Sequence, residues 1–250
     1  MISSDGKTSE RTESAKNKLK QKLHSLYTVG VNPRGMSALT NVMIWKRIIL
    51  TTALYACETW GKLSYREIEL LEVTQRYFVR FVLSLDKRSP TDSCISNVGL
   101  WTMEIHVDKM KLLFLGRLCR AKPTTIHKQM FNFRLGQILT GEFNDLSLTY
   151  DLLQTCGKYE LNPFIENFVA DNFFPDKCLW RKVVKQTIEI HEENKWKLAV
   201  GRRPELARYA KIQKCLTEHR LLRLAVAYPY LNMQFVTLVK WFSMAIKTGQ

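Results

Sequence analysis

Ile68, Leu71, Gln75, Phe78, Val82 and Leu85 recur at spacings of 3, 4, 3, 4 and 3 residues, the rhythm that lines one side of an α-helix with packing groups. At about 100° per residue, Arg76, Arg80 and Lys87 fall on the opposite side. Such a segment is committed to a helix with one packed face and one cationic face. Ser64 and Glu67, three residues apart, form a capping box that starts it, each side chain accepting from the other's backbone N–H. Pro90 closes the element, and Thr91 or Asp92 caps a short helix after it.

The same period recurs along the chain. Residues 1–14 carry too few apolar groups to offset ordering entropy and are expected to be a disordered tail. From Ala15, Leu19, Leu23 and Leu26 keep helical spacing while Lys16, Lys18, Lys20 and Lys22 crowd the remaining faces, which predicts a basic amphipathic helix ending near Gly30. Met36 to Trp60 reads as one long, mostly buried helix, with Gly61 after its end. Further helices are expected over 104–121 before Pro123, over 124–139, over 145–156, after the turn at 161–164, over 176–199 and over 202–216. The apolar tail from Leu221 breaks at Pro229. No stretch sustains period-2 alternation, so strands should be few or absent. The expected class is mainly α: an irregular multi-helix bundle in two loose lobes, 15–140 and 141–250.

Charge and cysteine spacing bound the function. With 38 basic and 23 acidic residues the net charge is +15, a field that attracts polyanions. The six cysteines lie no closer than about twenty residues apart, so there is no CxxC half-site for structural zinc. The first residues lack the apolar core of a secretory signal, which points to an intracellular protein with reduced thiols, in nucleus or cytoplasm. The longest apolar run, Ile48 to Cys57, is about half of what a membrane span needs.

Chemistry-bearing motifs are lacking. There is no GxxxxGK[ST], GxGxxG or GxSxG, no HExxH, and no pair of adjacent aspartates of the kind two-metal phosphoryl chemistry uses. No catalytic residue, metal ligand or cofactor is therefore assigned. What remains is positive charge with aromatics between: Lys16, Lys18, Lys20 and Lys22; Lys46 with Arg47; Arg76, Arg80, Lys87 and Arg88; and Arg202 with Arg203. These suit phosphate contacts. Trp45, Trp101, Trp180, Trp196 and Trp241 suit either base stacking or core packing, and packing is the commoner use.

The stretch Leu54, Tyr55, Ala56, Cys57, Glu58, Thr59, Trp60 raises two alternatives. Cys57 beside a carboxylate is a reactive thiol only if a histidine or second cysteine comes from elsewhere. Otherwise Tyr55 and Trp60 pin the end of one helix against the one that Ser64 and Glu67 begin, leaving Glu58 to cap or to pair with Arg66.

That stretch, followed by Leu71, Glu72, Val73, Thr74, Gln75, Arg76 and then Arg80, resembles the segment downstream of the catalytic palm in reverse transcriptases of LINE-type (non-LTR) retrotransposons. There a helix ends in a Leu-Tyr-Gly-Cys-Glu-x-Trp-like motif, and a Leu-Glu-x-x-Gln-Arg-x-x-x-Arg-like helix follows. Residues 109–120, KMKLLFLGRLCR, look like the family's next helix, and 174–188 is a looser match. The resemblance implies a thumb and connector portion that grips template and primer through RNA or DNA backbone, partnered by a palm absent from this sequence. The palm's aromatic-x-Asp-Asp signature would lie before residue 1, and the family's Cys/His cluster beyond Gln250. The alternative is a helical protein-interaction module, or a retroelement relic, that binds no nucleic acid and exposes apolar surface.

Overall fold

The computed structural model describes residues 8–87, 89–141 and 147–242. The fold is mainly α, and no β-strand occurs among the described residues, where Val98 and Glu218 form an isolated bridge. In chain order the helices are α1 (Thr8–Ser25), α2 (Ala38–Ile44), α3 (Leu50–Ala53), α4 (Tyr65–Val82), α5 (Thr91–Asn97), α6 (Met103–Arg120), α7 (Ile126–Leu139), α8 (Leu148–Lys158), α9 (Asn162–Asp171), α10 (Lys177–Gly201), α11 (Ala207–Ile212), α12 (Arg220–Ala227) and α13 (Asn232–Phe242). No described helix is long and apolar enough to cross a membrane.

The chain forms two compact units, and they are interleaved in sequence instead of meeting near residue 140. Among the described residues the larger holds 9–55, 65–103 and 192–242, and the smaller Thr8, 56–64 and 104–191. A linear division misreads this because α5 collects its partners from the C-terminal third of the chain. In the larger unit the Tyr209 hydroxyl donates to Asn97 Oδ1 at 2.9 Å and is hydrogen-bonded to Ser96 Oγ at 2.6 Å, while the His219 amide donates to the Asn97 carbonyl at 2.8 Å.

In the larger unit, Thr12, Ala15, Leu19 and Leu23 bury one stripe of α1. Residues 8–14 are thus helical, not part of a disordered tail, and the buried Thr12 explains why the helix extends before Ala15. Trp45 and Phe78 stack with ring centroids 4.2 Å apart. Gln75, at a seam position of α4, accepts from the Trp45 indole at 3.4 Å and donates to the Trp101 carbonyl at 2.7 Å. A buried amide at such a position fixes register, because a one-turn slip would strand both of its bonds. Glu72 accepts from the Met103 amide, and Glu192 from the Thr102 amide at 3.0 Å, so two carboxylates serve the start of α6 at its N-terminal amides.

The single helix expected over 36–60 is shorter and interrupted. Trp45–Ile49 is a π turn, in which the Leu50 amide reaches the Trp45 carbonyl five residues back. Just beyond it the Thr51 and Thr52 hydroxyls bond back to the Arg47 and Ile48 carbonyls, offering the backbone an alternative partner. Helical geometry ends at Leu54. Ala56 is left-handed with φ 58°, and Cys57–Thr59 is a single 3-10 turn. Beyond α10, the helix expected over 202–216 is confined to a 3-10 turn at Pro204–Leu206 and α11. There the Gln213 carboxamide takes the Cys215 and Thr217 carbonyls at 2.9 and 2.6 Å and holds the chain out of helical form.

In the smaller unit Trp180 is wholly buried and its indole donates to the Leu112 carbonyl at 2.9 Å. A Cβ placed at Gly116 would come within 2.3 Å of the Trp180 ring, so only glycine allows α6 and α10 to approach this closely. Phe164, Phe174, Phe168 and Phe131 extend from Trp180 as a chain of ring contacts. The Lys111 ammonium pairs with Asp151 at 2.6 Å inside this unit and also reaches the Gly61 carbonyl. Lys158 pairs with Glu104 and Asp108, and the latter also accepts from the Tyr159 hydroxyl at 2.8 Å.

Ala56 holds a conformation that glycine adopts without strain. Ala56→Gly is therefore expected to stabilise the protein by about 0.5–1 kcal/mol, which a thermal melt would register as a rise of about 2 °C in Tm.

Candidate nucleic-acid interface

The predicted cations divide into those held by the fold and those left at the surface. On α1, Lys18, Lys20 and Lys22 are exposed on both flanks of the buried stripe, and none bonds or pairs with another described side chain. Lys16 is different: it pairs with Glu13 at 2.5 Å. In the π turn, Arg47 is exposed while Lys46 is half-buried and donates to the Gly99 carbonyl at 2.9 Å. Burial lowers the Lys46 pKa, and Glu218 partly opposes this.

The cationic face expected on α4 is largely absent. Arg76 pairs with Glu69 on its own helix. Arg80 turns to the loop beyond the helix and donates to the Ser89 carbonyl at 3.0 Å and the Thr91 hydroxyl at 3.3 Å. The physical reason is the tight turn after α4, where Ser84 is left-handed with φ 49° and the loop carbonyls need a donor. Lys87 is exposed, and Arg88 lies outside the described residues. Arg203 pairs with Asp92 at 3.0 Å, whereas Arg202 is exposed. Trp45 and Trp180 are wholly buried and Trp196 nearly so, while Trp241 is 66% exposed. Packing, not stacking on bases, accounts for those three.

The stretch from Tyr55 to Glu67 is a corner, with two corrections. Tyr55 is 82% exposed and pins nothing, because the helix ends one residue before it and the left-handed Ala56 follows. Glu58 pairs with Arg117 at 2.8 Å, not with Arg66. Trp60 is buried, and Ser64 and Glu67 stand immediately before and three residues into α4, the positions a capping box needs. Cys57 is buried without exposure, and its thiol is pushed up to about 12 by desolvation and then by Glu58. Burial likewise raises Cys119 and Cys156 to about 12 and Cys94 to about 11, so these thiols stay protonated and unreactive. Cys178 and Cys215 are exposed. Among the described residues no group of three or more His, Cys, Asp or Glu side chains is placed to hold a metal ion.

A second cationic surface lies in the smaller unit, where the close approach of α6 and α10 brings like charges together. Arg120 has its pKa lowered chiefly by burial, with Arg181 acting in the same direction and Cys119 and Asp176 opposing. Lys109 is lowered by burial first, then by Lys185, with Glu189 opposing. Lys177, Arg181 and Lys182 are exposed on the first turns of α10 and bond to no other described side chain. The spacing of Lys177, Arg181 and Lys185 was readable as one helical stripe. The pairing of that stripe with α6 was not, since only packing on Gly116 sets it.

Arg80→Ala is expected to lower stability by about 1.5–3 kcal/mol, because it leaves the Ser89 carbonyl without its charged donor; urea unfolding measures it. The Lys18→Gln change, by contrast, should leave the urea midpoint within error. The chain matches no protein-family model, no curated protein and no solved structure.

Proposed function

We propose that the chain binds RNA or DNA through backbone phosphates without reading sequence, and that it is a thumb and connector portion like that of a LINE-type reverse transcriptase. The observation that carries the first part is the set of exposed, uncompensated cations on α1 (Lys18, Lys20, Lys22) and on α10 (Lys177, Arg181, Lys182), in a chain of net charge +15. Cations without carboxylate partners bind phosphates without first breaking an ion pair. The burial of Trp45, Trp180 and Trp196 removes these three rings from any stacking on bases.

Support for the second part comes from the corner. The family motif has glycine where this chain has Ala56, and Ala56 occupies the left-handed conformation that glycine takes without strain. A grip on template and primer needs no catalytic carboxylates of its own, and a palm partner would supply them.

A different reading, a protein-interaction module, rests on α7. Ile126, Met130 and Phe133 follow one another at helical spacing and all three are exposed. Such a stripe fits a partner helix or a second copy.

Fluorescence anisotropy with a labelled duplex separates the two. Nucleic-acid binding should weaken with salt, and each row of three lysines or arginines in contact with phosphates contributes about −2.7 to the slope of log K against log salt. Replacing Lys18, Lys20 and Lys22 with glutamine should flatten the slope by about that amount, with little loss of helix by circular dichroism. Absent or salt-independent binding, together with concentration-dependent self-association on a sizing column, would discard the nucleic-acid reading in favour of the interaction module.

A further inference from the structure

A recess of about 550 Å³ opens in the smaller unit where the end of α6, the first turns of α7 and the end of α9 meet, and Arg120, Lys128, Asn132, Asn172 and Phe174 line it. All four polar side chains in this lining offer N–H donors, and none is a carboxylate. Lys128 is the unusual member. It is only 3% exposed, yet its ammonium has no carboxylate against it among the described residues. One N–H goes to the Cys119 carbonyl at 2.8 Å, and the nitrogen sits 4.1 Å from the centre of the Phe168 ring. The Phe131 ring centre is 5.7 Å away, so one carbonyl and two ring faces surround the ammonium and none of them carries a full negative charge. A buried cation without an anion is costly, and burial lowers the Lys128 pKa accordingly.

The neighbours complete the pattern. Arg120 lies over the Phe174 ring at 5.6 Å and uses one N–H on the Pro175 carbonyl at 3.1 Å. Phe168 and Phe174 touch edge to face, 6.2 Å between centres, so the two cations rest on adjoining rings. Asp176 acts on Arg120 from outside the lining, but its Oδ1 already accepts from the Cys178 and Leu179 amides. Asn132 stands one turn after Lys128 on the same face of α7, and Asn172 closes α9 in the left-handed conformation. Neither carboxamide bonds to any described residue.

We propose that this recess binds a phosphate monoester, with Lys128 and Arg120 balancing its two charges and the Asn132 and Asn172 carboxamides donating to its oxygens. A carboxylate, with one charge and two oxygens, would leave a cation and a donor uncompensated. The volume is that of a small-molecule site and exceeds what the phosphate alone fills, so the monoester arrives either on a free nucleotide or on the 5′ end of a nucleic acid. None of the exposed cations of α1 and α10 lines this recess, and it stands whether or not those cations bind backbone.

Isothermal titration of the full chain with AMP and with inorganic phosphate, in low-salt buffer, tests it. The wild type should bind AMP. Asn132→Asp, an exposed change that sets a carboxylate one turn from Lys128, should weaken AMP binding more than tenfold. Asn194→Asp carries the same charge change at an exposed position on α10, outside the recess lining, and should leave binding unaltered. Lys128→Met should abolish binding if its circular dichroism matches the wild type. A 5′-phosphorylated oligonucleotide that outcompetes both AMP and its 5′-hydroxyl counterpart assigns the site to a polymer end, displacement of AMP by neither oligonucleotide assigns it to a free nucleotide, and equal displacement by both overturns the monoester assignment. Failure of the wild type to bind AMP, or equal binding by wild type and Asn132→Asp, overturns the proposal.

Discussion

The smaller unit depends on the seat of Trp180 against Gly116. No other residue type at 116 would let the indole lie there, and with the indole in place its N–H reaches the Leu112 carbonyl. From that contact follow the aromatic chain through Phe174, Phe168 and Phe131 and the meeting of cations along α6 and α10. Packing energy holds these like charges together: rings of this size contribute a large apolar area, and each contact adds about 0.5–1.5 kcal/mol beyond it. Repulsion at the seam is therefore tolerated.

Formal charge overstates what this chain can offer a ligand. Arg76, Arg80, Lys111, Lys158 and Arg203 are each tied to a carboxylate, a carbonyl or a hydroxyl within their own unit. Their role is to satisfy buried or loop oxygens that no helix N–H reaches. Lys18, Lys20 and Lys22 on α1 and Lys177, Arg181 and Lys182 on the first turns of α10 are exposed without such a partner among the described residues.

The helical class, the amphipathic pattern of α1 and the start of α4 were legible in the sequence, because each rests on local spacing and capping. What was not legible depends on which carbonyl a donor finds in three dimensions. Arg80 and Lys87 lie on the same face by arithmetic, yet only Arg80 meets a turn with oxygens to bond. The helix expected to run to Trp60 stops at Leu54 because a π turn and two back-bonding threonines intervene, and apolar periodicity carries no trace of either. The interleaving of the units escaped for the same reason: Asn97 and Tyr209 are more than a hundred residues apart and joined by one hydroxyl. For the α6 and α10 seam a signal did exist in Gly116, an isolated glycine inside an apolar helix, which marks a close approach.

The uneven burial of the six thiols gives the molecule built-in attachment chemistry. Four are shielded and protonated, while Cys178 and Cys215 stand in solvent, one in the smaller unit and one in the larger. A maleimide dye at neutral pH would therefore mark each unit once without any engineered cysteine. Energy transfer between the two dyes would then follow the spacing of the units as nucleic acid is added.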